Sequence, residues 1–160
     1  MPELAVAARW ATPNDLEVII RLYRLLEAEM VEMKDMWGLA DGLAEPVASA
    51  WEATIADPDT LVAVGTLDEL AFGFLLARSE PMLPQANQER IGVVRLVFTQ
   101  LEARGVGVAS TMLHWTLQEL ERRGHRRFDA HVLPGHRIAK NFFEAAGFAA
   151  RSIVMHRNDA

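Results

Sequence analysis

Between an apolar run, Ile91–Thr99, and a helix-forming run, Ser110–Arg123, lies Arg104-Gly105-Val106-Gly107-Val108-Ala109. The order is strand, glycine-rich turn, helix. Glycine lets the backbone take positive φ and lets a ligand approach the main chain. Free N–H groups at a helix start, reinforced by the peptide dipoles, form a cradle for an anion. A phosphate or pyrophosphate fits such a cradle. The competing reading is a glycine-rich connection with no ligand. Two other phosphate loops fail on spacing. A Walker A loop needs Lys after its last glycine, and Val108 follows Gly107. Gly105 and Gly107 begin a Rossmann pattern, but Ser110 stands at its third glycine.

The chain has 160 residues, 51% of them apolar, which suits one domain around a sizeable core. There is no internal repeat or linker, so residues 1–160 read as a single α+β domain. No cysteine is present, which removes disulfides and thiolate chemistry. The net charge of −6 argues against a nucleic-acid partner. The basic cluster Arg122–Arg127 complements a helix C-terminus. No apolar run reaches the roughly 18 residues of a membrane span. Met1-Pro2-Glu3-Leu4 lacks the basic start of a signal peptide, so the expectation is a cytoplasmic protein without membrane contact. No histidine and acid spacing marks a metal site, and none is expected.

The periodicity predicts a strand over 4–10, then a helix opened by Thr12-Pro13-Asn14-Asp15. Leu16, Ile19, Ile20, Tyr23, Leu26 and Met30 recur at helical spacing. A second helix is expected over about 45–56. Strands follow over 60–67 and 70–78, joined by the Asp68-Glu69 turn. Residues 79–88, with Pro81 and Pro84, read as a loop. After the strand over 90–99 and the helix over 110–123 come a strand over 125–133 and a helix over about 136–146. A last strand is expected over 148–157. Gly124 and Gly147 sit where left-handed helix ends belong.

This order, β-α-α-β-β-β-α-β-α-β, resembles the GNAT N-acetyltransferase superfamily over nearly the whole chain. The family pattern [QR]-x-x-G-x-[GA] is met at Arg104, Gly107 and Ala109. Residues 136–148 resemble the signature N-x-x-A-x-x-x-Y-x-x-x-G-F, matched at Ala139, Gly147 and Phe148. His136 replaces the usual Asn. Phe143 replaces a Tyr whose hydroxyl protonates the departing thiolate of coenzyme A in many members. The resemblance implies a GNAT fold with a mixed sheet flanked by helices. It implies acetyl transfer from acetyl-coenzyme A to the amine of a small or amino-acid-like molecule. The loss of the Tyr keeps a second function open, a non-catalytic module that binds an acyl-coenzyme A as sensor or partner. A homodimer is left open.

The resemblance also distributes roles. A backbone N–H within Leu96, Val97, Phe98 and Thr99 would meet the developing oxyanion. The strand carrying Val97 and Thr99 would pair with the pantetheine arm. Gly105, Val106, Gly107, Val108, Ala109 and Ser110 would hold the pyrophosphate, with the Arg104 side chain in support. Asn141 and Phe143 would lie along the cofactor arm. For a base, His136 stands at a helix start beside the expected cofactor; its alternative is a plain helix-start residue. Glu29, Glu32 and Trp37 either line an amine pocket or belong to a solvated face. Arg95, inside an apolar strand, needs a partner and hints at an acidic substrate group.

Overall fold

Two strands, β2 (Thr60–Leu67) and β3 (Leu70–Pro81), form the hairpin that the Asp68-Glu69 turn predicts. Both turn residues have positive φ, 49° and 70°, as a two-residue turn matched to strand twist requires. The structure, a computed structural model, describes residues 3–33, 42–87 and 89–159. Around the hairpin it places β1 (Val6–Trp10), α1 (Leu16–Met33), α2 (Val47–Ala56), β4 (Arg90–Thr99), α3 (Val108–Arg122), β5 (Phe128–Ala130) and α4 (Arg137–Ala145). The strands lie in chain order, β1-β2-β3-β4-β5. The first three junctions are antiparallel and β4–β5 is parallel. A parallel neighbour requires a crossover, and α3 provides it. The expected α+β class with a mixed sheet is the observed one.

Side-chain alternation along the strands divides the core into two layers. Val62, Val64, Phe74 and Leu76 pack with Ile19 and Leu22 of α1 and Trp51 of α2. Leu61, Ala63, Leu75 and Ala77 pack with Val108, Met112 and Leu120 of α3 and Phe143 of α4. Trp51 anchors the first layer, edge-on to Tyr23 at 6.0 Å and to Phe74 at 5.4 Å. At the start of α1, the Asp15 carboxylate accepts the Thr12 N–H at 2.8 Å and two N–H groups of Arg9, each at 2.7 Å. In the second layer α3 lies close to the sheet because glycine stands beneath it. A Cβ on Gly65 would lie 2.6 Å from Val108 Cγ1, and one on Gly73 would lie 2.7 Å from the Phe98 carbonyl oxygen.

Arg95 is an extra residue in β4. Ala77 faces Val94 and Leu76 faces Leu96, so no β3 residue faces Arg95. The two core layers record this bulge. Val94 packs on the α3 side, whereas Leu96 and Phe98 pack on the α1 side. In an unbroken strand these three residues would share one face.

Three expectations need correction. The strand over 125–133 shrinks to Phe128–Ala130, because β5 pairs with β4 only along Gly92–Val94. The strand expected over 70–78 extends to Pro81, because Ser79, Glu80 and Pro81 pair with Gly92, Ile91 and Arg90. The last strand, expected over 148–157, is not formed. Residues 149–159 carry no strand or helix, and Ile153, Val154 and Met155 are exposed. The three-residue β5 offers a short row of backbone groups to an added strand. An ion pair from Arg151 to Asp129 fastens the segment instead, with Nε donating to Oδ1 at 2.7 Å. Gly124 and Gly147 end their helices with φ of 97° and 94°, as expected.

Gly73→Ala tests the tight layer under α3. The obstacle is a backbone carbonyl, which cannot turn aside, so the variant should lose about 1–3 kcal/mol as an overpacked core does. Urea unfolding measures this, and a midpoint equal to the parent's would contradict it.

Candidate active site

Beyond Val94 the strands β4 and β5 part. The last link is His131 N–H to Val94 O at 3.1 Å, and after it the chain turns away toward α4. β4 continues to Thr99 with β3 along its other edge. Gln100 N–H donates to Phe72 O at 2.7 Å, so the amide of residue 100 faces β3. Alternation then directs Phe98 and Leu96 to β3 and directs Thr99 and Val97 to the open edge. Of the four amides bracketed by the sequence, two therefore belong to the sheet and two face the gap.

At the end of β4 the chain passes through a turn into α3. Gly105 and Gly107 have φ of 85° and 95°, and a Cβ on either would meet nothing within 4 Å. The glycines are thus required by conformation and not by crowding. Gly107 is the residue before α3, and no side chain caps the helix. Thr111 N–H makes the first helical bond, to Gly107 O at 3.0 Å, so the amides of Val108, Ala109 and Ser110 precede the helical ladder. Val106 and Ser110 are exposed, whereas Val108 is buried beneath the helix. A 15-residue helix thus presents uncapped N–H groups beside the open edge of β4.

The Arg104 side chain is engaged elsewhere. Its Nε donates to Thr99 O at 2.7 Å and its Nη2 to Glu29 Oε2 at 2.7 Å. Its guanidinium lies 5.4 Å from the Phe98 ring centroid. Arg104 therefore ties the turn to the end of β4 and to α1. Glu29 is its ion-pair partner. Glu32 is exposed. Trp37 lies outside the described residues.

His136 stands immediately before α4 and is half-buried. Burial is the main influence on its imidazole and lowers its pKa below 6.5. The Glu29 charge opposes that shift and the Arg104 charge adds to it, so both groups sense the ring. The structure thus gathers Glu29, Arg104 and His136 from three separate elements. A neutral imidazole can accept a proton. Asn141 is exposed on α4. Phe143 is 3% exposed and packs edge-on to Phe142 and Phe148, with ring centroids at 5.0 and 5.3 Å. It shares the buried cluster of Val108 and Met112, so its ring is part of the core beneath α3.

Arg95 has the partner that its position in β4 demands. Its Nε donates to Glu80 Oε2 at 2.9 Å and its Nη2 to Glu80 Oε1 at 2.5 Å. Its Nη1 approaches His131 Nδ1 at 3.1 Å. Glu80 escapes a sequence reading because it lies fifteen residues away, in what reads as a proline-containing loop. Only the extension of β3 brings it beside the bulge. The same is true of Ser79, whose Oγ lies 2.7 Å from His125 Nε2. Among the described residues no helix is long and apolar enough to cross a membrane. Nor do the described residues include a metal-binding group of three or more His, Asp or Glu.

His136 gives this site a pH signature. The folded protein holds the ring neutral to a lower pH than the unfolded chain does. As pH falls below 6.5 the unfolded state therefore binds more protons, and folding stability declines through the folded pKa. His136→Gln should flatten the slope of stability against pH in urea unfolding as the pH falls below 6.5. Glu29→Gln should lower the His136 pKa further, as read from its ring resonances. An unchanged slope, or a rise in that pKa, would contradict the assignment.

No curated protein sequence matches the chain. Solved structures do. An aminoglycoside N-acetyltransferase, AAC(6')-Iy, in complex with CoA superposes with a TM-score of 0.75 at 16% identity, covering 99% of this chain and 98% of that one. A ribosomal-protein-alanine N-acetyltransferase from Brucella melitensis biovar Abortus 2308 gives 0.70 at 17% identity, covering 96% and 100%. A transcriptional regulator from Bacillus halodurans C-125 gives 0.72 at 22% identity, with the same coverage. At these identities the likeness is one of fold. The family model described as the acetyltransferase (GNAT) family matches residues 19–148, a span that holds α2–α4, β2–β5 and the turn before α3. The chain belongs to the acetyltransferase (GNAT) family.

Proposed function

We propose that this protein transfers an acetyl group from acetyl-coenzyme A to the amine of a small or amino-acid-like molecule by direct attack. The observation that carries the reading is the uncapped N-terminus of α3, opened by two glycines of positive φ, beside the edge that β4 exposes after β5 departs. Acetyl-coenzyme A supplies an anionic pyrophosphate, an amide-bearing arm and a thioester, and each has a counterpart here. The amides of 105–110 suit the pyrophosphate. The Val97 and Thr99 edge suits the arm, as an added strand would.

The amine nitrogen forms a bond to the thioester carbon, the carbon–sulfur bond breaks, the nitrogen loses a proton and the thiolate gains one. Of the two open-edge amides, the N–H of Val97 or of Thr99 meets the oxyanion. His136, neutral at physiological pH, accepts the amine proton directly or through water. Glu29 and Arg104 act on His136 as positioning charges. Phe143 donates no proton, so the thiolate takes one from water.

Phe143 favours a second reading, a module that binds acyl-coenzyme A without turnover. Its ring is buried at the position where many members have Tyr. Thiol release from acetyl-coenzyme A with a panel of amines separates the two. Tight coenzyme A binding with no thiol release from any amine would select the module.

Gly107→Val tests the cradle common to both. The site has room for the side chain but not the φ, so the turn must rearrange. Coenzyme A affinity should fall at least tenfold, or about 1.4 kcal/mol. Calorimetric titration of a folded variant with parental affinity would remove the pyrophosphate from this turn.

A further inference from the structure

On the α1 side of the Arg95 bulge lies a cavity of about 530 Å³. Three of its lining residues are arginines, Arg78, Arg90 and Arg95, against two acids, Asp59 and Glu80. A cationic excess is unexpected in a chain of net charge −6. The three arginines are not equally engaged. Arg95 is held by Glu80 at two nitrogens. Among the described residues Arg78 donates once, from Nη2 to Asp57 Oδ2 at 3.3 Å. Arg90 donates from Nε and Nη2 to Ser79, and Asp59 lies 3.8 Å from its Nη2. A guanidinium has five N–H donors in a planar fork that suits carboxylate or phosphate. Arg78 and Arg90 thus retain donors, on half-exposed side chains, in one recess.

The recess also lies in line with the proposed chemistry. Leu76 of its wall faces Leu96 across the sheet. Arg95 precedes Val97 by two residues, about 7 Å of strand. Arg78 stands opposite Val93, four residues before Val97, so an anionic group held beside Arg78 lies roughly 13 Å of strand from Val97, and an extended acceptor such as a short peptide would carry its amine to the open edge of β4. We infer that the acceptor is an amine that also carries an anionic group, a carboxylate or phosphate, and that Arg78 and Arg90 bind that group. This rests on the acetyl-transfer reading and narrows it. A polycationic amine would meet the arginines unfavourably, and like charges brought together disfavour binding.

The test uses matched amines with acetyl-coenzyme A and follows thiol release. Tetra-alanine is compared with its C-terminal amide for the carboxylate, and 8-aminooctyl phosphate with 8-aminooctanol for the phosphate. At least one anionic member should show a kcat/KM tenfold or more above its neutral partner. Arg78→Gln and Arg90→Gln should erase that preference mainly through KM, with kcat little changed. Equal or better acetylation of the neutral members, or a preference that survives both substitutions, overturns the inference. A second readout does not depend on turnover. The side-chain Nε resonances of Arg78 and Arg90 should shift saturably with N-acetylleucine or inorganic phosphate, and the response should be lost in Arg78→Gln. The absence of a saturable shift with both probes overturns the inference. If no amine releases thiol, the acetyl-transfer reading fails, and the resonance titration still decides whether the recess binds anions.

Discussion

One residue too many in β4 governs much of this molecule. Arg95 has no partner across β3, and its insertion turns the strand about its own axis. Before it, the amides of alternate residues serve β5; after it, those same parities serve β3. The edge toward β5 is then left with Val97 and Thr99, at the point where β5 has departed. A regular strand would have kept β5 paired or reversed which amides face outward. The gap and its polar lining thus share one geometric origin, and the same bulge carries Arg95 to Glu80 on the α1 side of the sheet.

The helix after the gap has two duties that could conflict. Its buried stripe of Val108, Met112, Leu113 and Leu120 holds the second core layer. Its first turn, left uncapped, is the part proposed to meet the cofactor. Close packing along Gly65 and Gly73 fixes the helix axis, so the open N-terminus is held by its body and not by a cap. Arg104 secures the turn from the other side through Thr99 O and Glu29. Preorganisation of this kind lets amides stabilise charge without reorganising when it arrives.

Much of this was legible in the sequence. The glycine-rich turn, its strand and its helix are contiguous, and contiguous signals survive reading residue by residue. The Asp68-Glu69 hairpin and the helix ends at Gly124 and Gly147 were legible for the same reason. What failed depended on partners distant in the chain. The run after Phe148 has strand-like residues, but a strand needs an edge, and β5 offers three residues. Ser79 and Glu80 read as loop because nothing local reveals their pairing with Gly92 and Ile91. The ion pair of Arg104 with Glu29, 75 residues away, likewise has no local trace.

The sequence by itself determined the class of fold, the family and the place of the glycine-rich turn. Each depends on backbone conformations that particular residues impose on their neighbours, above all positive φ at Gly105 and Gly107. The tertiary structure decided which amides of β4 face the gap, which acids occupy the arginines, and that burial lowers the pKa of His136. Those outcomes depend on distances between segments far apart in the chain. Such distances arise from register, burial and the divergence of two strands, which no local pattern encodes.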